Sequence, residues 1–132
     1  MKTRDLHLTI RFSAPPATLY RALMSSRLHS RITASKAVIG TKAGSAFSVW
    51  DGAILGITLA LAPNRRIVQA WRNEEWPADH YSIADFTFEP VSKGTRLVFS
   101  HYAIPASDLK GITAGWRAFY WTPMKELFEA AN

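Results

Sequence analysis

The sequence predicts an α+β domain in which an antiparallel sheet carries one long C-terminal helix across it. Three observations predict it. Leu6, Leu8, Ile10 and Phe12 alternate with His7, Thr9 and Arg11, the period of a half-buried strand, and similar alternation recurs further along. Asp51-Gly52 is a strong two-residue hairpin signal. Trp116, Tyr120, Met124, Leu127 and Phe128 recur at three- and four-residue spacing, the stripe of an amphipathic helix. The 132 residues are read as a single domain, 1–132, long enough to bury a core.

Each element has its own local reason. The first strand ends at Ser13 or Ala14, and Pro15-Pro16 suits the first turn of a helix. Leu19, Tyr20, Leu23 and Met24 share one face of that helix, and a second short helix or turn is expected around Ser26–Ile32. The Asp51-Gly52 turn pairs Trp50 with Ala53, so Phe47, Val49, Ile54, Gly56 and Thr58 share one face. Asn64-Arg65 after Pro63 makes the next turn, and Ile67–Arg72 the next strand. Trp76-Pro77-Ala78-Asp79 is a loop, since proline cannot sit in a central strand. Tyr81–Glu89 and Thr95–Ala103 form a second hairpin about Ser92-Lys93-Gly94, and Pro105 ends the sheet. The last helix runs from about Leu109 to Glu129; Pro123 within it costs about 3 kcal/mol, and propensity alone breaks the helix there.

Composition excludes several classes. The hydrophobic share is 48%, with 5 Trp, 7 Phe and 4 Tyr, which argues against disorder. With no cysteine there is neither a disulfide nor a thiolate metal site. The first residues lack the apolar core of a signal peptide and no run reaches the length of a membrane span, so a soluble cytoplasmic protein is expected. The net charge of +6 is uneven: residues 1–50 hold eight of the 16 basic residues against one acid, Asp5. Such asymmetry suits an acidic partner or a solvated face. Nucleic acid is not expected as a partner, because the aromatics follow core periodicity rather than forming a stacking platform.

Three blocks rich in rare residues carry a family resemblance. They are Phe47-Ser-Val-Trp-Asp-Gly-Ala-Ile-Leu-Gly56, Ile67-Val-Gln-Ala-Trp-Arg-Asn-Glu-Glu-Trp-Pro-Ala-Asp-His-Tyr-Ser82 and Gly115-Trp-Arg-Ala-Phe-Tyr-Trp-Thr-Pro-Met-Lys125. In order and spacing they resemble the C-terminal-type domain of the activators of heat-shock-chaperone ATPase, within the START-like, birch-pollen-allergen-like superfamily. The resemblance begins at Ala14-Pro15-Pro16 and covers nearly the whole chain. It implies a helix-grip fold: a curved antiparallel sheet wrapped around a long C-terminal helix, with one or two short helices after the first strand. It implies that this helix runs on through Pro123. It also implies a non-enzymatic binding domain with a chaperone as partner.

Relatives of that shape often keep a ligand cavity between sheet and helix. With the Phe47 face inward, the resemblance implies a pocket lined by Phe47, Ile54, Gln69, Trp71, Phe86, Phe99 and His101 from the sheet. Trp116, Phe119 or Tyr120, and Met124 complete it from the helix. Gln69 and His101 are the polar exceptions, as a specific site for a small apolar ligand requires. A core filled by the same side chains is the other reading. Catalytic residues are not assigned: Glu74-Glu75 are adjacent solvated acids, and the four histidines lack metal-ligand spacing. No cofactor is expected. A cyclase-like site would use His101 with Asp85 or Tyr120.

Two surfaces remain. Arg21, Arg27, Arg31 and Lys36, on or near the first helical segment, are the candidates for contact with an acidic partner. On the opposite sheet face Leu55, Ile57, Val68 and Ile83, continued by Ala53, Leu59, Ala70 and Val98, make a contiguous outward apolar patch. Such a patch marks an interface, here between two copies of the chain.

Overall fold

The computed structural model describes residues 1–129. Ten alternating residues form β1 (Thr3–Phe12), and Pro16, at the first turn where its missing N–H costs nothing, starts α1 (Pro16–Met24). Ser25 then caps α2 (Ser26–Thr33), its hydroxyl accepting from the Leu28 N–H at 3.2 Å. A short β2 (Val38–Ile39), absent from the sequence reading, leads into the meander of β3 (Ala46–Val49), β4 (Ile54–Ala62), β5 (Arg66–Asn73), β6 (Ser82–Val91) and β7 (Gly94–Pro105). The seven strands lie in the order β1-β7-β6-β5-β4-β3-β2, and every pairing is antiparallel.

After a 3-10 turn (Ala106–Asp108), α3 (Leu109–Trp116), a π-helical turn (Arg117–Trp121) and α4 (Thr122–Phe128) follow without a break. This is the curved sheet and gripping helix that the resemblance implies. Among the described residues, no helix is long and apolar enough to cross a membrane.

The Asp51-Gly52 turn forms as read. The Ala53 N–H donates to the Trp50 carbonyl at 3.1 Å, and Asp51 and Gly52 take φ of 52° and 91°. Positive φ at both central positions is the handedness that matches strand twist. Trp50 itself has φ 59°, so the ladder stops one pair earlier, at Val49 and Ile54.

One strand departs from the sequence reading. A bulge between Thr58 and Ala60 sets an extra residue, Leu59, into β4. The alternation shifts by one there, so Leu61 packs against the core while Leu59 and Ala60 both face solvent. The C-terminal helix runs through Pro123, as the resemblance implies, by widening just before it. The Thr122 N–H bonds the Arg117 carbonyl five residues back instead of four. Proline, which has no N–H to give, enters where the helical ladder is already changing register.

The core lies between the sheet's concave face and these helices. Leu19, Ala22 and Leu23 come from α1, Ile32 from α2, and Trp116, Tyr120, Trp121 and Met124 from the C-terminal helix.

Candidate functional site at the end of the helix grip

Aromatic rings from sheet and helix converge on Trp116. Its centroid lies 5.9 Å from Trp71, 5.8 Å from Phe86, 4.6 Å from Phe99 and 4.7 Å from Tyr120, and it stacks on Trp121 at 5.4 Å and 14°. The residues expected around a pocket are therefore brought together, but they leave little room at depth. The inner gap bounded by Phe47, Gln69, Trp71, Phe86, Trp116 and Tyr120 holds about 10 Å³, the space of one water. Phe99, His101 and Met124 are fully buried beyond it.

The open space lies at one end of this aromatic cluster, as a cleft of about 440 Å³. Buried Ile54, Trp71, Trp116 and Tyr120 form its floor. Trp50 and Phe119 meet edge-to-face at 4.2 Å on its rim, so Trp50 turns toward the helix and leaves the outer sheet face uncovered. Gly111 and Gly115, one turn apart on α3, present no side chain and keep the cleft wide; a Cβ at Gly111 would meet nothing within 4 Å. The polar side carries Asn73, Glu75, Ser107 and Asp108. Asp108 is anchored: its Oδ2 accepts from Trp76 Nε1 at 2.7 Å. Arg72 holds the Trp76-Pro77 loop in turn, donating to the carbonyls of Glu74, Trp76 and Pro77. The loop that interrupts the strands is thus a fixed wall.

His101 is locked into a relay. Trp116 Nε1–H donates to its Nδ1 at 3.0 Å, so Nδ1 carries no proton. The proton on Nε2 then points to Ser82 Oγ at 2.7 Å, and the Ser82 hydroxyl donates to the Trp71 carbonyl at 3.0 Å. Every hydrogen-bonding group on the ring is used. Burial pulls the His101 pKa down to about 3. The cyclase-like pairing with Asp85 is not formed, because Asp85 lies on the outer face, paired with Arg66 at 2.7 Å. The Tyr120 hydroxyl instead lies 2.6 Å from His29 Nε2, and His29 Nδ1 donates to the Leu23 carbonyl at 3.0 Å. Burial lowers the His29 pKa, partly opposed by that carbonyl, and raises that of the Tyr120 phenol.

The two histidines set an expected pH dependence. Both have folded pKa values below the unfolded value near 6.5, so the unfolded chain binds protons first as pH falls. Their stabilisation is complete above about pH 6.5 and declines below it, by up to roughly 1.4 kcal/mol per pH unit for each neutral histidine. Urea midpoints at pH 7.5, 6 and 5 should fall in that order; a flat series would refute neutral buried histidines.

Sequence reading did not reach His29, Trp50, Trp121 or Asp108. His29 shares a helical face with Ile32 on α2, a usable signal; Asp108 beside Trp76 is a contact across 32 residues that no local pattern announces. The remaining candidates sit on surfaces. Arg21, Arg27, Arg31 and Lys36 are all outward-facing along α1, α2 and the turn after it. Leu55 and Ile57 are 41% and 43% exposed, while Val68 and Ile83 are half-buried on the same face.

A seven-stranded antiparallel sheet gripping a C-terminal helix makes this a START-like, Bet v 1-like domain. Residues 13–129 match the family described as Activator of Hsp90 ATPase homolog 1-like protein, and the chain belongs to that family. The mouse Activator of 90 kDa heat shock protein ATPase homolog 2 is 29% identical over 127 residues. That match covers 96% of this chain but 38% of the mouse protein, so the chain spans less than two fifths of that relative. The crystal structure of an HSP90 activator from Plasmodium falciparum superposes with a TM-score of 0.89 at 24% identity, over 93% of this chain and 94% of that one. The solution structure of the Aha1 dimer from Colwellia psychrerythraea gives 0.82 at 17%, over 98% of each chain. At these identities the structural likeness establishes the fold.

Proposed function

We propose that this domain is a non-enzymatic binding module that docks an acidic surface of an Hsp90-type chaperone through α1 and α2. Family membership supplies the partner class, and the observation that carries the surface is the disposition of four outward-facing cations. Arg21, Arg27, Arg31 and Lys36 lie on consecutive elements, and among the described residues none of them is in an ion pair. Charges left unpaired at a surface chiefly raise association rate and salt sensitivity. The variant Arg27→Glu/Arg31→Glu should bind a purified Hsp90 chaperone more weakly at low salt and change its ATPase rate less than wild type does. Its folding stability should stay within about 0.5 kcal/mol, as for other exposed substitutions. Wild-type protein that neither binds the chaperone nor alters its ATPase rate would sink this reading.

A second reading concerns small molecules and rests on the cleft. Its volume of about 440 Å³ falls within the usual range for small-ligand sites, and its floor is aromatic. A carrier or sensor of a small apolar ligand fits that geometry.

We further infer self-association through the outer sheet face. Ala46, Ile57, Ala70, Ile83 and Tyr102 follow one another across five adjacent strands, and Leu55 and Leu59 flank the row. A self-complementary patch closes most simply as a two-fold dimer. Sedimentation should show a dimer for wild type and a monomer for Ile57→Lys. A monomeric wild type at high concentration rejects the interface.

A further inference from the structure

The charge inside the cleft runs against that of the protein. The chain carries +6, yet among the described residues the only charged ones lining the cleft are the acids Glu75 and Asp108. Asp108 gives one carboxylate oxygen, Oδ2, to Trp76 and keeps Oδ1 without a protein donor among the described residues. The walls beside it are ring systems: Trp50 and Phe119 on the rim, Trp71 and Trp116 on the floor. Aromatic rings beside carboxylates suit an organic cation, since ring faces carry negative potential and the carboxylate neutralises the charge. An anionic ligand would face both carboxylates there.

We infer that the cleft binds a small organic cation, an amine or quaternary ammonium carried on an apolar body. The inference rests on the reading that a small molecule enters the cleft, and it adds the ligand's charge. A free molecule is the occupant favoured, because the site is concave and its floor lies below the rim formed by Trp50 and Phe119.

The probes are 2-phenylethylamine, the near-isosteric neutral 2-phenylethanol, the anion 3-phenylpropionate, and Nα-acetyl-lysine amide to represent a partner's side chain. Binding is followed by tryptophan fluorescence and calorimetry at two salt concentrations. The amine should bind about tenfold or more tightly than the alcohol, with the anion undetected. In Glu75→Gln/Asp108→Asn that preference should disappear while affinity for the alcohol is kept; the amide oxygen of the introduced asparagine can still accept from Trp76, so the loop wall stays in place. Equal affinity for amine and alcohol in wild type overturns the cation but leaves the cleft as an apolar site. A preference that survives the double variant overturns the assignment to Glu75 and Asp108. No binding of any probe overturns both the cation and the small-molecule reading. Nα-acetyl-lysine amide binding as tightly as the amine overturns the free-molecule occupant.

Discussion

Trp116→Ala is expected to cost about 3–5 kcal/mol of unfolding free energy, as deletion of a large buried aromatic does. Trp116 lines the cleft, and a residue that only lined a cavity would cost much less. Its surroundings decide the matter. It is 4% exposed and packs on Trp71, Phe86, Phe99, Tyr120 and Trp121. It also supplies the hydrogen bond to His101 Nδ1, whose loss orphans a buried acceptor and adds roughly 1–3 kcal/mol. Against a total stability of roughly 5–15 kcal/mol, the variant sits near the edge of folding. Urea unfolding at pH 7.5 measures this, and a loss under about 1 kcal/mol would show that Trp116 is not the keystone of the core. Trp116→Phe should cost less than Trp116→Ala, since it keeps one ring in the core while removing the N–H and the second ring.

Gly56→Ala is expected to be nearly as damaging, for a steric reason. A Cβ there would lie 2.1 Å from the Ala70 carbonyl oxygen and 2.4 Å from Phe47 Cζ. The ring of Phe47 lies over its cross-strand partner Gly56, and β5 backbone closes the other side. Neither neighbour can yield without separating strands, so the loss should exceed the roughly 1–3 kcal/mol of ordinary overpacking. The same substitution at Gly111 should have the opposite sign. Nothing lies within 4 Å of a Cβ there, and alanine favours a helix over glycine by about 0.8–1 kcal/mol. Thermal melts of both variants test the pair. A neutral Gly56→Ala would mean that β4 and β5 shift apart easily.

Much of the architecture was legible residue by residue. Leu6, Leu8 and Ile10 announced β1, Pro15-Pro16 the start of α1, and Asp51-Gly52 a turn whose handedness the backbone confirms. The inward set Phe47, Ile54, Gln69, Trp71, Phe86 and Phe99 is buried, because side-chain direction in a strand has period two and local sequence encodes it directly. The bulge at Leu59 was not legible: an extra residue between two pairs is defined by the partner strand, which β4 alone does not contain. Pro123 was ambiguous for a similar reason. Local propensity breaks a helix there, and only packing of Tyr120, Trp121 and Met124 against the sheet sustains it through a π-helical turn.

The site divides along the same line. Residue order alone tells which side chains face the helix, that aromatics dominate there, and that cations crowd the first 50 residues. The assembled layers were needed to show that Trp71, Phe86, Trp116 and Tyr120 close on a gap of about 10 Å³ while a cleft of about 440 Å³ opens beside Trp50 and Phe119. They also set Asp108 against Trp76 and His29 against Tyr120. Periodicity specifies the face on which a side chain lies. A cavity is the small difference between the volume that two layers enclose and the volume their side chains fill, and that difference is set by contacts between residues far apart in the chain.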